Sequence, residues 1–128
     1  MKRDMDLCRA ILFAIEEEYV DVALYNLQIP AYTMEQVAYH CKILKDAGFI
    51  TDYKAQCAGN HIIGFGVGSL TWEGHEFLDK IRQDTVWNKT KEVITKQGLP
   101  MIIDVVKQVA EAIITAMTEG AIKAMLNQ

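Results

Sequence analysis

The sequence predicts an α+β domain that is mostly helical and ends in a long apolar helix. Three observations support this class: helical spacing of apolar residues in several segments, alternation around a turn near Ala58, and an apolar stretch from Leu99 to Leu126. The chain has 128 residues, 51% of them hydrophobic, which is enough for a folded core. We predict a body over residues 1–97, with the order helix, loop or short strand, helix, β-hairpin and helix. Residues 98–128 are predicted to form a helical oligomerisation or docking segment.

The first helix is predicted over residues 3–19, where apolar side chains recur every three or four residues. They are Met5, Cys8, Ile11, Leu12, Ile15 and Tyr19. The periodicity fades after Tyr19, and Pro30 disfavours helical backbone at the residue before it. We therefore expect a loop here, with a short strand near Val22 to Tyr25.

The second helix is predicted to begin after Thr33, because Thr33 and Gln36 have the spacing of a capping box. In this motif the side chain of each residue pairs with the backbone N–H of the other. Gly48 is expected to end the helix, since glycine readily adopts the left-handed backbone found there. The buried side is expected to comprise Val37, Cys41 and Leu44.

A β-hairpin is predicted to follow the second helix. Residues Ile50 to Gln56 suit a strand, and the small and polar residues 57–60 suit a turn. The apolar residues that alternate along the returning strand are Ile63, Phe65 and Val67. The residues of its opposite face, where missing side chains allow another part of the chain to approach closely, are Gly64, Gly66 and Gly68.

A third helix is predicted from Thr71 to Gln97, with Thr71 as its cap and a bend or second cap near Asp84. We expect Trp72 and Trp87 to pack against the first helix and the hairpin. The apolar side of its first half is expected to comprise Trp72, Phe77, Leu78 and Ile81. A separate helix is expected to begin near Pro100, since proline is tolerated in a first turn.

The final helix is predicted to be apolar around most of its circumference. Asp104, Lys107 and Glu111 interrupt the apolar surface, which disfavours a membrane span, and its mixed charges disfavour binding at a membrane surface. We therefore expect a homo-oligomer, with an intramolecular pair with the third helix as the alternative. The expected oligomerisation residues are Ile102, Val105, Val106, Val109, Ile113, Ala116, Met117 and Ala124.

The predicted order of elements, in which a capped helix ends at residues 44–48 and a hairpin follows it, resembles that of a winged-helix domain. In such domains the helix before the hairpin often enters the major groove of DNA. Residues 1 to about 92 also resemble the domain-of-unknown-function family 2513 of Gram-positive bacteria and their prophages. The segments that carry this second resemblance are Met1–Leu7, Tyr39–His40, Leu70–Asp79 and Asp84–Lys89. The resemblance implies a phage or prophage setting and no assigned activity.

The outward side of the second helix, together with the hairpin, is the candidate surface for a protein partner or DNA. The net charge of −4 provides no overall attraction to nucleic acid, and Glu35 and Asp46 offset two lysines of the helix. Gln36 has the side chain to read an adenine edge, while a merely solvated face is the alternative. The expected contact residues are Gln36, Tyr39, His40, Lys42, Lys45, Lys54 and His61.

No catalytic residue, metal site or cofactor site is predicted. Residues 75–79 begin like the zinc-binding motif H-E-x-x-H, but Asp79 stands where the second histidine belongs. His40 and Cys41 are adjacent on a helix and therefore point in different directions, which disfavours a nucleophile and base pair. We expect His75 to make a buried or half-buried hydrogen bond near Trp72 instead.

The expected function is that of a non-enzymatic phage or prophage accessory protein. It is expected to bind another protein, in a role that includes modulation of a host process or defence, and to self-associate through its last helix. Three cysteines without paired spacing indicate a reducing compartment, and no signal segment follows the basic N-terminal pair, so we expect a cytoplasmic protein of a bacterial host cell. The alternative is a dimeric winged-helix DNA-binding transcriptional regulator.

Overall fold

A computed structural model describes residues 1–127, which form five helices and a three-stranded antiparallel sheet. The predicted α+β, mostly helical class is confirmed, since 58% of the chain is helical. The helices are α1 (Met5–Glu18), α2 (Met34–Asp46), α3 (Trp72–Ile81), α4 (Asp84–Lys96) and α5 (Ile103–Leu126). The strands are β1 (Leu24–Tyr25), β2 (Tyr53–Ala58) and β3 (His61–Val67).

The described chain divides into two compact units. The first is Met1–Leu78, which contains the sheet, and the second begins at Asp79 and contains α4 and α5. The division falls within α3. The predicted boundary between the body and the oligomerisation or docking segment lies after residue 97 instead, at the end of α4.

The core of the first unit is formed largely by α1 and α2, which pack on each other. The carboxylate of Asp4 caps α1 by accepting hydrogen bonds from the backbone N–H groups of Asp6 and Leu7. The capping box of α2 is present as predicted, with Thr33 and Gln36 each bonded to the other's backbone N–H. The buried residues of the two helices are Met5, Leu7, Cys8, Ile11, Leu12, Ile15, Val37, Ala38, His40, Cys41 and Leu44.

The sheet has the order β1-β3-β2, so the hairpin strand β3 lies in the centre. The predicted short strand exists as β1, which pairs antiparallel with β3. The first hairpin strand begins three residues later than predicted, because Ile50 forms an isolated bridge with Leu70 before β2 starts at Tyr53. Phe65 and Val67 are buried as the alternation predicts. Ile63 is exposed, however, because it lies nearer to the hairpin turn, where most residues are exposed.

The glycines of β3 leave room for side chains from neighbouring strands. The ring of Tyr25 lies so close to Gly66 that a Cβ atom there would be 3.1 Å from Cε1. At Gly64 the amide oxygen of Asn26 would be 3.2 Å from such an atom. Asn26 also accepts a hydrogen bond from the backbone N–H of Phe65. The residue after β1 is therefore bonded to β3 beside the glycines.

The start of α3 is fixed onto the segment that follows α2. The hydroxyl of Thr71 caps the helix by accepting from the N–H of Gly74, and it donates to the carbonyl of Gly48. Phe49 and Phe77 stack with their ring centroids 4.9 Å apart. The prediction that Trp72 belongs to the apolar side is wrong: its side chain is 76% exposed, because the buried side of the helix is provided by Gly74, Phe77, Leu78 and Ile81.

The predicted third helix is two helices. The backbone of Gln83 is extended, which separates α3 from α4 and makes Gln83 the N-cap of α4. The buried residues of α4 are Val86, Trp87, Thr90 and Ile94. The hydroxyl of Thr90 donates to the carbonyl of Val86, so this buried polar group is satisfied within the helix.

The last helix begins at Ile103, three residues after the predicted start, and packs on α4. Only Val106 and Ala110 of α5 are buried, and an ion pair of 2.7 Å joins Lys80 to Glu111. No helix in residues 1–127 is both long enough and apolar enough to cross a membrane. Because only two of its residues are buried, α5 leaves most of its apolar surface uncovered within the second unit.

Candidate interaction surfaces

The outward side of α2 presents a small polar surface, which we call the α2 face. Its members are Tyr39, Lys42 and Lys45, all of them exposed. Glu35 and Asp46 are also exposed on this helix, so the acidic and basic side chains balance. The α2 face therefore offers two ammonium groups and one aromatic ring, without an excess of positive charge.

His40 does not belong to the α2 face, so its prediction as a contact residue is wrong. The residue is only 2% exposed, and its Nε2 accepts a hydrogen bond of 2.8 Å from the backbone N–H of Asp4. Its Nδ1 lies 2.7 Å from the carbonyl oxygen of Gln36. Because a carbonyl only accepts, Nδ1 carries the proton and the ring is the neutral tautomer that these partners select. His40 thus joins the N-terminus of α1 to α2.

Asp4 is the centre of this junction. Besides capping α1, its carboxylate accepts a hydrogen bond of 3.0 Å from the phenol of Tyr32. Loss of water around the phenol, together with this hydrogen bond, raises the pKa of Tyr32, which keeps the group in its donating form. The segment before α2 is thereby tied to the start of α1.

Gln36 is also committed to the fold. Its amide oxygen accepts a 2.9 Å hydrogen bond from the backbone N–H of Thr33. Because the capping box holds this side chain at the first turn of α2, Gln36 is not presented for reading a base edge in the folded chain.

Lys54 and His61 are exposed on the hairpin, as expected for contact residues. Lys54 also lines a shallow groove of about 260 Å³ on the sheet, next to the ring of Tyr25. Tyr25 is 76% exposed and was not among the predicted contact residues. Tyr25 lies beside Gly66 because β1 pairs with the distant strand β3. Local periodicity in the sequence does not reveal that pairing.

The residues weighed for zinc binding do not assemble a site. His75 is half exposed, and its Nδ1 lies 3.6 Å from a carboxylate oxygen of Glu16, so the expected hydrogen bond near Trp72 is replaced by this contact. Asp79 instead pairs with Arg82 at 2.8 Å. Across residues 1–127, no three His, Cys, Asp or Glu side chains are grouped so that they could hold a metal ion.

The three thiols differ in accessibility. Cys8 and Cys41 are buried, and burial raises the pKa of each thiol to about 12, whereas Cys57 is exposed on β2. We expect a thiol reagent at pH 8 to modify Cys57 alone in the folded protein and all three cysteines in denaturant. Mass spectrometry of the modified chain measures this, and rapid modification of Cys41 without denaturant would contradict the packing of α1 on α2.

The second surface is formed by α5 and lies in the second unit. Val109, Ala112, Ile113 and Ala116 border an open groove of about 390 Å³ that is completed by Val93 of α4 and by Gln108. Of the predicted oligomerisation residues, Val106 is fully buried against its own unit and cannot contact another molecule. The half-buried or exposed members are Ile102, Val105, Val109, Ile113, Ala116, Met117 and Ala124.

Comparison with known proteins identifies relatives of this chain. A family model described as a hypothetical protein, DUF2513, matches residues 2–100. The chain belongs to the DUF2513 family. It is also 41% identical over 120 residues to an uncharacterized protein of Haemophilus influenzae. This match covers 91% of this chain and 98% of that protein. Since that coverage exceeds the first hundred residues, the similarity continues into α5. No solved structure matches the chain.

Two of the segments that carry the family resemblance contact each other in this DUF2513 chain. The first, Met1–Leu7, is bonded to Tyr39–His40 through the N–H of Asp4 and the ring of His40. In the third, Leu70–Asp79, the backbone N–H of Thr71 donates to the carbonyl of Phe49. These residues therefore have structural roles, since they join α1 to α2 and the start of α3 to the segment after α2.

Proposed function

We propose that this DUF2513 protein is a non-enzymatic phage or prophage accessory protein that acts by protein–protein binding and assembles with itself through α5. The prophage setting follows from the family resemblance, and it makes a host process or host defence the target to test first. What supports a binding role is that the nucleophile and base pair weighed from the sequence, Cys41 and His40, is committed to the core.

The observation that carries the proposal is the uncovered apolar surface of α5. Met117, Ile122, Met125 and Leu126 are exposed hydrophobic side chains, with Leu126 at 79%. Every described residue from Thr115 to the end of the helix is exposed. A contiguous apolar surface on a water-facing helix favours association, since covering it removes apolar area from water.

A winged-helix body is part of the proposal. The order of α1, β1, α2 and the hairpin, with the sheet order β1-β3-β2, supports this finer description of the first unit. In such a body, α2 and the adjacent hairpin are the elements that meet a partner. We propose that the α2 face, with Lys54 and His61 of the hairpin, contacts the protein partner.

Charge substitutions on α5 test the self-association. We expect the variant Ala116→Glu/Ile122→Glu to be monomeric by light scattering, because buried, unpaired carboxylates oppose assembly through either side of the helix. The matched control is Val20→Glu/Val22→Glu, which adds the same charge at exposed apolar positions of the first unit. The proposal is wrong if the wild-type chain is monomeric, or if the α5 variant assembles like the control.

DNA binding is the second candidate function, favoured by the position of α2 before the hairpin and by the exposed Lys42 and Lys45. It predicts duplex binding that weakens with salt, and a smaller salt slope for Lys42→Ala because a phosphate contact is lost. Titration of mixed genomic DNA at low salt tests it, and the absence of binding would remove it. The balanced charge of α2 is why protein binding is placed first.

A further inference from the structure

We propose that the groove across the sheet, which we call the sheet groove, binds an extended acidic segment of the protein partner. A carboxylate of this segment meets Lys54, and an aromatic or apolar side chain two residues away stacks on Tyr25. The inference rests on the proposed partner binding and adds the chemistry of the segment that is bound. All the residues that it uses belong to the first unit.

The sheet groove is built across all three strands. Side chains at paired positions of antiparallel strands lie on the same face of a sheet. Tyr25 of β1 and Lys54 of β2 are both paired with Gly66, and Gln56 of β2 is paired with Gly64. These three side chains therefore lie on one face, around a floor made by two glycines of the central strand. The buried side chains of β3 lie on the other face.

The polar groups around this floor are open to a ligand. Within residues 1–127, the side chains of Lys54 and Gln56 and the phenol of Tyr25 form no hydrogen bond or ion pair. The amide oxygen of Asn26 accepts from the backbone N–H of Phe65, which holds this side chain beside the groove and leaves its NH₂ group as a donor. An ammonium group, two amides and a phenol thus surround one groove.

The charge of the sheet indicates an anionic ligand. None of the 17 Asp and Glu residues of the chain lies in β1, β2 or β3. Of the described residues that line the sheet groove, only Lys54 is charged, so a carboxylate is complementary to it. A nucleic-acid strand requires several phosphate contacts, and the chain has a net charge of −4 that repels a polyanion. One ammonium group therefore favours an acidic peptide segment.

The spacing across the sheet groove suits an extended peptide. Because Tyr25 and Lys54 lie on either side of β3, their backbones are separated by about 10 Å. Side chains two residues apart in an extended peptide point the same way and lie about 7 Å apart. One of them can stack on the outer face of the Tyr25 ring, whose inner face covers Gly66. The other then meets Lys54, because the flexible lysine side chain spans the remaining distance.

Titration of the full chain with two defined peptides tests the inference. The acidic probe is acetyl-Gly-Phe-Ser-Glu-Ser-Phe-Gly-amide, and its neutral twin has Gln in place of Glu. We expect the acidic probe to shift the backbone amide resonances of Gly64 and Gly66 in two-dimensional NMR spectra. The twin is expected to bind about fivefold more weakly, because it lacks one exposed ion pair with Lys54.

Substitutions in the chain identify the groups that bind the probe. We expect Lys54→Glu to raise the dissociation constant of the acidic probe about tenfold, because attraction becomes repulsion. The matched control is Lys45→Glu, which makes the same charge change at an exposed lysine of the α2 face and is expected to have little effect. Tyr25→Leu keeps an apolar cover over Gly66 but removes the ring, and is expected to weaken binding about threefold.

The outcomes separate the inference from the proposed function. Equal binding of the two peptides, or a loss with Lys45→Glu instead of Lys54→Glu, would overturn the inference while the α2 face stands as the proposed contact surface. Tighter binding of an oligothymidylate of about twelve nucleotides than of the acidic probe would assign the sheet groove to nucleic acid and also overturn it. A monomeric chain that binds the probe as expected would remove the proposed self-association and support the sheet groove.

Discussion

Replacing His40 with alanine is expected to lower the free energy of unfolding by about 3 kcal/mol. The substitution removes a side chain that is only 2% exposed and leaves a cavity between the start of α1 and the middle of α2. It also leaves the backbone N–H of Asp4 without its acceptor, and an unpaired part-buried donor loses hydration without compensation. Urea unfolding monitored by circular dichroism measures the change.

Two variants identify the cause of this loss. His40→Gln is expected to recover about half of the stability, because the amide oxygen can take the place of Nε2 as the acceptor. His61→Ala removes an exposed histidine from the hairpin and is expected to change stability by less than about 0.5 kcal/mol. A His40→Ala protein as stable as the His61→Ala control would show that the junction at Asp4 does not stabilise the fold.

Gly74→Ala is expected to lower the free energy of unfolding by about 2 kcal/mol, although alanine is the better helix former. A Cβ atom at this position would lie 2.2 Å from the carbonyl oxygen of Phe49. Because that oxygen belongs to the backbone and accepts from the N–H of Thr71, it cannot move aside without the loss of a hydrogen bond. The start of α3 would therefore shift away from Phe49.

The matched control for this substitution is Glu73→Ala, which places alanine at the neighbouring exposed position of α3. It is expected to change stability by less than about 0.5 kcal/mol in the same urea experiment. Equal stability of the two variants would contradict the close contact between α3 and the segment after α2. A weaker spectroscopic signal from the stacked rings of Phe49 and Phe77 in the Gly74→Ala protein would support the expected displacement of α3.

The parts of the fold that could be predicted from sequence depend on local interactions. The caps of α2 and α3 involve residues three positions apart, and the buried side of α1 repeats at the helical period. Such features are readable because each residue and its partner lie within one or two turns. The same holds for α5, whose apolar composition identifies it without reference to any partner.

The misassigned residues depend on contacts that are distant in sequence. His40 is at the edge of the apolar side of α2, and its burial results from Asp4, thirty-six positions away. Trp72 has the helical position of a buried residue, but no part of the first unit covers it. Tyr25 lies beside the groove on the sheet because β1 pairs with the distant strand β3.

Self-association through α5 gives this helix a reason for its composition. An uncovered apolar helix would be a liability for aggregation, whereas assembly through α5 removes this apolar area from water. The α2 face is present in each copy of such an assembly. Two copies of each partner-binding surface strengthen the capture of a partner that is itself repeated.

Light scattering of the unmodified full-length chain over a range of concentrations tests the central claim, self-association through α5, most directly. We predict a mass of twice the 14.5 kDa of one chain, which falls to the monomer mass on dilution or with Ala116→Glu/Ile122→Glu. A mass of one chain at concentrations up to about 100 µM would contradict the claim, because a specific assembly through α5 should then be populated.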